Sequence, residues 1–257
     1  MSEHPLVALQ RTLYESSNPT RRYLHCRRRD WVKNAVLSVP TAKVAMEVGP
    51  GSGVYLGALL EQSQLLIAFD AELLHLQSAR ALPELANSAT PVSFIQGDLA
   101  AAPIAPCSVD MLLCSEVFEH INPSVPSLSA LSSLLSRDGV MIFTTPQPGS
   151  LIEIFGRFAY RPPFINLLRT IYKEPIEPTG HINVTSANRL KSAFAAANLQ
   201  IEQEDYLGFY LPLLAEFGGH WGARLQQRIE GRLRKTFLRT MLWTQCYVVR
   251  RKPDSEP

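Results

Sequence analysis

The chain has 257 residues, of which 46% are hydrophobic and 19% are charged, and its formal net charge is +2 at pH 7. This length fits one large domain or a core with a small appendage, and the apolar fraction is ample for a buried core. So small a charge excludes an overall electrostatic drive toward nucleic acid, and no uninterrupted apolar run approaches the roughly 20 residues that span a bilayer.

Cysteine usage and the N-terminus indicate the compartment. The four cysteines are scattered, with no C-x-x-C pair: Cys26, Cys107, Cys114 and Cys246. This pattern is typical of a reducing compartment and gives no structural zinc site. The first residues, MSEHP, lack the basic start and apolar core of a secretory signal. We therefore expect a cytoplasmic protein.

Strand and helix patterns alternate through the first two thirds of the chain. A helix is predicted over about 20–39. Strand-like apolar runs follow at 43–48, 65–70, 92–97, 109–115 and 139–145. Helical patterns separate them near 54–62, 71–82 and 124–135. This alternation predicts an α/β fold, with a parallel sheet and helices on both faces.

The remaining third is less regular. An insert rich in proline and aromatic residues covers about 147–178. A helix is then predicted over about 186–198, with Thr185 as its N-cap. Two closing strands, 199–206 and 244–250, are separated by a long, mostly helical connection at 208–243.

The most informative stretch is V-A-M-E-V-G-P-G-S-G at 44–53, where an apolar run rises to Glu47 and then breaks into glycines. Gly49, Gly51 and Gly53 give the spacing G-x-G-x-G, and Val54 stands where a dinucleotide-binding loop needs its third glycine. Such a turn lets backbone N–H groups approach a ligand closely.

Together with Glu47, this loop resembles motif I of the class I S-adenosylmethionine-dependent methyltransferases, especially the small-molecule enzymes of the ubiquinone and menaquinone pathways. The resemblance spans about 40–206 plus the last strand. It implies a Rossmann-like, seven-stranded, mostly parallel sheet whose last strand is antiparallel and lies between the fifth and sixth. It also implies an insert after strand five, a long helical connection before the last strand, and S-adenosyl-L-methionine as cofactor.

One methyltransferase domain is expected over 1–257. Its parts are an N-terminal helical cap (1–40), a cofactor-binding core (41–146), a substrate-side insert (147–180), the C-terminal half of the core (181–252) and a tail (253–257).

The resemblance also assigns cofactor-binding residues. It implies that Gly49, Gly51 and Gly53 wrap the methionine half of the cofactor, and that Glu47 lies near its amino group. Asp70 ends the second strand, where a carboxylate can accept two hydrogen bonds from a ribose diol. An acid at this point also fits an NAD enzyme.

The third strand ends in Gln96-Gly97-Asp98-Leu99, which resembles the family motif whose acid accepts from the adenine amino group. The next residue, Leu99, would pack against the ring. Asp98 taken alone is equally typical of an ordinary turn. The segment after strand four faces cofactor and substrate in the family, so Ser115 joins the predicted cofactor site.

Glu116, Glu119 and His120 form E-x-x-E-H and would share one face of a helical turn. With His181 they are candidate ligands for a divalent cation such as Mg²⁺. The pattern resembles the metal site of ubiquinone-pathway O-methyltransferases and small-RNA 2′-O-methyltransferases. Metal-free relatives also carry glutamate and histidine here, as pocket lining.

His120 and His181 are also candidate catalytic bases, because an imidazole pKa lies near working pH. Each is equally compatible with a structural hydrogen bond. Methyl transfer needs little beyond in-line positioning, since the sulfonium is already activated.

Two segments bear on the acceptor and on partners. The insert carries Phe155, Phe158, Tyr160 and Phe164, which favours an apolar or aromatic acceptor or a lipid tail; a small helical cap is the alternative. The C-terminal connection has apolar residues predicted near one face (Leu225, Ile229, Leu233, Phe237 and Leu238) among basic ones (Arg224, Arg228, Arg232, Arg234, Lys235 and Arg239).

Such a basic amphipathic helix either lies peripherally on anionic lipid or packs on its own domain with a solvated basic side. The arginines at 21–29 either add to this positive charge or form a solvated helix face. An RNA partner is a minor alternative, and the sequence leaves the oligomeric state open.

The sequence therefore predicts an S-adenosylmethionine-dependent methyltransferase acting on a small, apolar or lipid-linked acceptor. Three alternatives stay open: a nicotinamide oxidoreductase, an RNA 2′-O-methyltransferase-like enzyme with an E-x-x-E-H metal site, and a non-catalytic cofactor-binding protein.

Overall fold

The computed structural model describes residues 12–121, 124–159, 161, 164–172 and 183–252. Its strands are β1 (Ala42–Val48), β2 (Ser63–Asp70), β3 (Val92–Gln96), β4 (Val109–Ser115), β5 (Leu135–Pro146), β6 (Leu199–Leu207) and β7 (Thr244–Arg251). Its helices are α1 (Pro19–Ser38), α2 (Leu56–Glu61), α3 (Leu73–Arg80), α4 (Pro83–Ala86), α5 (Ser124–Leu134), α6 (Leu151–Ala159), α7 (Phe164–Tyr172), α8 (Ala187–Ala196), α9 (Leu214–Phe217) and α10 (Gly219–Leu233).

The seven strands form one sheet in the order β3-β2-β1-β4-β5-β7-β6. The first five strands pair in parallel, whereas β7 runs antiparallel to both β5 and β6. The predicted fold, including the antiparallel last strand between the fifth and sixth, is confirmed. Strand order reverses between β1 and β4, which is where open α/β sheets bind ligands beyond the carboxyl ends of their strands.

Apolar side chains cover both faces of the sheet, as near-continuous hydrophobic strands require. On one face Val32 and Val36 of α1 pack with Leu59 of α2 in a fully buried cluster. On the other face Leu131 of α5 packs with Phe194 of α8. The predicted helices on both sides of the sheet are therefore present.

Two local predictions were wrong. The insert after β5 is not irregular, because residues 151–159 and 164–172 form α6 and α7. Thr185 does not cap α8: the N-cap residue is Ser186, and the Thr185 hydroxyl lies 3.2 Å from Asn183 Oδ1 instead. The proline and aromatic content of the insert hid the helical pattern of the two short helices. The Thr185 side chain hydrogen-bonds to Asn183 and is therefore not the cap.

No helix in the described ranges combines the length and the apolar character needed to cross a membrane.

Candidate functional site

The loop after β1 places backbone at the edge of the sheet where strand order reverses. All three glycines have left-handed backbone angles, with φ of +69° at Gly49, +50° at Gly51 and +74° at Gly53. The Gly49 N–H donates to the Phe69 carbonyl at 2.8 Å, so the loop stays joined to the end of β2. Residues with a Cβ rarely adopt these angles.

The space around two of these glycines is also closed to a side chain. A Cβ at Gly49 would lie 2.4 Å from Val117 Cγ2, and one at Gly53 would lie 2.3 Å from Leu82 Cδ1. Backbone conformation therefore favours glycine at all three positions, and at Gly49 and Gly53 a side chain would also require Val117 or Leu82 to move.

Glu47 lies in the centre of the sheet, between Ala68 of β2 and Leu113 of β4. Its side chain is 2% exposed, and its Oε2 has no hydrogen-bond partner within the described part of the chain. Burial, and secondarily the charge of Asp70, raises the pKa of the Glu47 carboxyl to about 8. A buried acid with an unsatisfied oxygen is unusual and suits a cationic amino group brought by a ligand.

Asp70 ends β2 and stabilises the turn into α3. Its Oδ1 accepts from the backbone N–H of Glu72 at 2.9 Å, and its Oδ2 lies 3.1 Å from His75 Nδ1. This hydrogen bond is the main cause that raises the pKa of His75. Each carboxylate oxygen has two lone pairs, so Asp70 retains acceptor capacity for the predicted ribose contact.

Asp98 and Leu99 follow β3. The Asp98 side chain is exposed and accepts from the Ala100 N–H at 2.9 Å, capping the 3₁₀ helix at Leu99–Ala101. Leu99 is 8% exposed and packs in the core beside Phe69. The turn role of Asp98 is thus observed, while the adenine contacts of both residues stay predictions.

A chain of hydrogen bonds begins at the end of β4. Ser115 Oγ and Thr144 Oγ1 are 2.9 Å apart, and Thr144 Oγ1 donates to Glu116 Oε1 at 3.1 Å. Glu116 Oε2 accepts from Arg28 Nη1 at 2.6 Å. Glu116 itself has a left-handed φ of +56°, uncommon for a residue with a side chain.

Arg28 and Trp243 were not predicted as site residues. Arg28 is buried and its guanidinium carbon lies 5.1 Å from the centre of the Trp243 ring. The interpretation of arginines 21–29 as a solvated face is therefore wrong for Arg28. Arg27 stays 34% exposed, although its Nε donates to buried Glu230 at 3.3 Å. The one feature of the sequence that could have indicated this contact is the tryptophan, Trp243, directly before β7.

The E-x-x-E-H segment does not present its carboxylates together. Glu116 precedes the 3₁₀ helix at Phe118–His120 and pairs with Arg28, whereas Glu119 is fully buried and accepts from Thr145 Oγ1 at 3.0 Å. Burial, followed by the Glu116 charge, raises the pKa of Glu119 well above its ordinary value. The two carboxylates are therefore held by different partners.

Within residues 12–121, 124–159, 161, 164–172 and 183–252, no group of three His, Cys, Asp or Glu could hold a metal ion. His120 is exposed at the end of its 3₁₀ helix. His181 lies outside the described residues. Asn183, two residues on, donates from its backbone N–H to the Glu119 carbonyl at 3.0 Å.

The insert contributes apolar surface next to this site. Phe155 of α6 contacts Tyr210, with ring centroids 6.1 Å apart, and joins a cluster that includes Leu24 and Trp243. Phe164 is 56% exposed. Tyr160 and the side chain of Phe158 lie outside the described residues. Of the four predicted aromatics, the described part of the chain thus places Phe155 in a packed cluster and Phe164 largely in solvent.

Comparison with known proteins agrees with this geometry. Residues 46–143, from β1 to β5, match a family model described as a methyltransferase domain. Comparison with curated proteins gave no significant match.

Several solved structures have the same fold. One is a candidate methyltransferase from Haloferax volcanii, in complex with the Trm112 methyltransferase activator: 19% identity, 89% of this chain and 92% of that chain covered, TM-score 0.60. Another is the N-methyltransferase NodS from Bradyrhizobium japonicum, in complex with S-adenosyl-L-homocysteine: 12% identity, 96% and 97% covered, TM-score 0.58. A third is an S-adenosylmethionine-dependent methyltransferase from Mesorhizobium loti: 14% identity, 86% and 96% covered, TM-score 0.56.

The predicted kinship with ubiquinone-pathway enzymes in particular stays a prediction. The match and the sheet order identify residues 46–143 as a methyltransferase domain within a class I S-adenosylmethionine-dependent methyltransferase fold.

Proposed function

We propose that the protein transfers a methyl group from S-adenosyl-L-methionine to a small acceptor that is apolar or lipid-linked. One observation carries the first half of this proposal. Three glycines with left-handed backbone surround a turn directly after buried Glu47, whose Oε2 lacks a partner among the described residues. This loop belongs to the segment that matches the methyltransferase-domain model.

Each site residue then has a physical task. The loop at Gly49–Gly53 admits the cofactor against the backbone, and the Glu47 carboxylate would bind the cationic amino group. Asp70 would accept from the ribose hydroxyls, and Asp98 and Leu99 would hold the adenine. When bound, the cofactor supplies a methyl group on an activated sulfonium. The protein's remaining task is to place the acceptor in line and to exclude water.

The apolar half of the proposal is supported by the cluster at α6. Half-buried Phe155 packs with buried Tyr210 and Trp243, and the Trp243 ring lies against Arg28 of the Arg28–Glu116 pair. A small apolar acceptor would bury its surface against the Phe155 side of this cluster, which removes apolar area from water. His120 and His181 remain the candidate general bases for an acceptor hydroxyl.

Isothermal titration calorimetry with S-adenosyl-L-methionine, S-adenosyl-L-homocysteine and NAD tests the cofactor assignment. We expect binding of the two sulfur compounds and none of NAD. The reverse result would overturn the proposal in favour of an oxidoreductase. If neither sulfur compound binds, a structural or scaffold role replaces it.

Turnover needs a separate assay. Labelled methyl transfer from S-adenosyl-L-methionine would be measured on a panel of apolar phenols and hydroxylated prenyl lipids, with short RNA as the comparison. We expect transfer to the apolar compounds. Transfer to RNA alone would contradict the acceptor class. The same assay in excess EDTA tests the metal alternative: lost activity that Mg²⁺ restores would establish it, and full activity would remove it.

A further inference from the structure

The most exposed large apolar side chains of the described chain lie close together in sequence. Leu213, Phe217 and Trp221 are 71%, 69% and 68% exposed, and Phe237 is 86% exposed. The first three are spaced four residues apart, across α9 and the start of α10. Single exposed apolar residues are common on protein surfaces, but such a concentration marks an interaction site.

The exposed side of α10 continues from Trp221 as a basic face. Arg224, Arg228 and Arg232 are all exposed and follow at spacings of three and four residues, which places them on one side of the helix. None of the three forms an ion pair with a described residue. The only acid of α10, Glu230, is 1% exposed and faces the opposite way.

Contacts with α1 fix this orientation. Gln226 Nε2 donates to Thr20 Oγ1 at 2.9 Å, and Gln226 Oε1 accepts from the Leu211 N–H at 2.7 Å. Glu230 accepts from the hydroxyl of Tyr23 and from the Gly208 N–H. Because hydrogen bonds of Gln226 and Glu230 hold the buried side of α10, the helix cannot rotate to bury Trp221 without breaking them.

We propose that the surface formed by Leu213, Phe217, Trp221, Arg224, Arg228 and Arg232 docks on an anionic lipid bilayer. Aromatic and leucine side chains insert at the headgroup level, while arginine guanidinium groups bind lipid phosphates. Because α10 has exposed arginines and no exposed acid, its solvent side is positively charged and complements the negative charge of an anionic bilayer. This inference goes beyond methyl transfer and does not depend on it.

A second copy of the chain is the competing occupant, and its charge argues against it. A two-fold interface on this surface would bring the same arginines of both copies together. Like charges in contact cost free energy. An anionic bilayer instead neutralises all three arginines at once.

Vesicle flotation with the full chain tests the proposal. The probes are vesicles of phosphatidylcholine alone and vesicles of phosphatidylcholine mixed with phosphatidylglycerol. We expect binding to the mixed vesicles, and weaker binding when salt is raised from about 0.1 M to about 1 M, which shortens the Debye length from about 10 Å to about 3 Å.

Two variants locate the surface. Each basic residue near an anionic membrane contributes about fivefold to partitioning, so replacing Arg224, Arg228 and Arg232 by glutamine should lower it roughly a hundredfold. Replacing the three apolar residues (Leu213→Ser, Phe217→Ser, Trp221→Ser) should lower it at least about tenfold. Both variants should keep the parental melting temperature and affinity for S-adenosyl-L-methionine.

Matched controls use exposed residues elsewhere. Arg80→Gln/Arg137→Gln/Arg189→Gln removes the same charge, and Leu73→Ser/Leu74→Ser removes apolar side chains that are 49% and 45% exposed. The arginine control should lower partitioning much less than the α10 variant, because its arginines would not touch the membrane. The leucine control should leave partitioning unchanged. If a control lowers binding as much as its α9–α10 counterpart, the proposed surface is wrong.

Two further outcomes would overturn the proposal that this surface binds a lipid bilayer. One is failure of the parent protein to float with either vesicle type at low salt. The other is a dimer, detected by light scattering without lipid, that the Leu213/Phe217/Trp221 variant converts to a monomer. The second result would assign the surface to a second copy of the chain.

Discussion

Arg28 of α1 and Glu116 at the end of β4 form a buried ion pair, in which Arg28 Nη1 donates to Glu116 Oε2 over 2.6 Å. Their side chains are 9% and 16% exposed. Burial is the largest influence and alone would lower the pKa of Arg28, but Glu116, together with Tyr55, Tyr14 and Glu119, raises the pKa above its ordinary value. The pair joins the N-terminal helix to the segment that faces the proposed cofactor and acceptor.

Breaking this pair from either side should destabilise the fold. Arg28→Met leaves the largely buried Glu116 carboxylate without its ion-pair partner, and we expect it to lower the free energy of unfolding by about 3 kcal/mol. Glu116→Gln leaves the guanidinium with a neutral partner and should cost less. Urea unfolding of both variants and of the double variant measures the coupling.

The double variant provides the control. It should be more stable than the sum of the single effects predicts, by about 1–3 kcal/mol, because neither charge is left unpaired. Additive effects would mean that the pair does not act as a unit. The matched exposed pair, Arg29 and Asp30, should show coupling below about 1 kcal/mol, since its side chains are 31% and 54% exposed.

The Arg28–Glu116 pair also shows what sequence analysis could not reach. Its partners are 88 residues apart, and an arginine in a run of arginines is normally exposed. The strands β1 to β5 were predictable because continuous apolar runs with turn residues between them specify buried parallel strands. The side-chain partners at the strand ends depend on the packing of α1 over the sheet, which no local pattern encodes.

The glycine loop was predictable from the sequence, whereas the buried face of α10 was not. The spacing of Gly49, Gly51 and Gly53 predicted a tight turn because only glycine adopts those angles freely. On α10, however, the predicted apolar face extended to Phe237 and Leu238, whereas the helix ends at Leu233 and both residues lie exposed in the following 3₁₀ helix. The buried face includes Gln226 and Glu230, whose partners on α1 are distant in sequence.

The Glu47 carboxyl should make stability depend on pH. In the unfolded chain it ionises near its ordinary pKa of 4.5, and in the folded protein near about 8. Between these values the folded state holds one more proton, so stability falls as pH rises through this window. Glu47→Gln keeps the shape and should be more stable than the parent at about pH 8, by on the order of 3 kcal/mol.

Urea unfolding of parent and Glu47→Gln from about pH 5 to about pH 8 gives this difference. Parallel stability profiles would show that Glu47 ionises normally. The variant should also bind S-adenosyl-L-methionine more weakly, because it lacks the carboxylate proposed for the amino group. Calorimetry in buffers of different ionisation enthalpy adds a second readout: the parent should release about one proton on binding near pH 7, and the variant none.

Replacing a glycine of the loop by alanine adds one methyl group and tests whether the loop requires glycine. Gly49→Ala places a Cβ at φ +69° and 2.4 Å from Val117 Cγ2. We expect a loss of about 1–2 kcal/mol in stability and at least about a tenfold loss of S-adenosyl-L-methionine affinity, since the loop must move.

Gly231→Ala is the matched control for that variant. Gly231 is exposed in α10, and a Cβ there meets no atom within 4 Å. Alanine should raise stability by about 0.5–1 kcal/mol through its better helix propensity. Thermal unfolding and calorimetry test both variants, and normal cofactor affinity in Gly49→Ala would rule out close approach of a ligand at this loop.

The last prediction concerns the insert. Phe155 is half-buried against Tyr210, in the cluster that also contains Trp243. Excising the whole insert would uncover this aromatic surface and confuse stability with function, so a point variant is the sharper test. Phe155→Ala should cost about 1–2 kcal/mol of stability, less than a fully buried phenylalanine. It should leave S-adenosyl-L-methionine affinity unchanged.

Methyl transfer to the apolar acceptor panel should fall in Phe155→Ala through a higher KM, because the ring is proposed to line the acceptor side. Phe164→Ala is the control, since that ring is 56% exposed and should lose little by truncation. Equal kinetics in Phe155→Ala and the parent would make α6 a structural cover. A selective rise in KM for Phe164→Ala would move the acceptor contact from the Tyr210 cluster to the exposed start of α7.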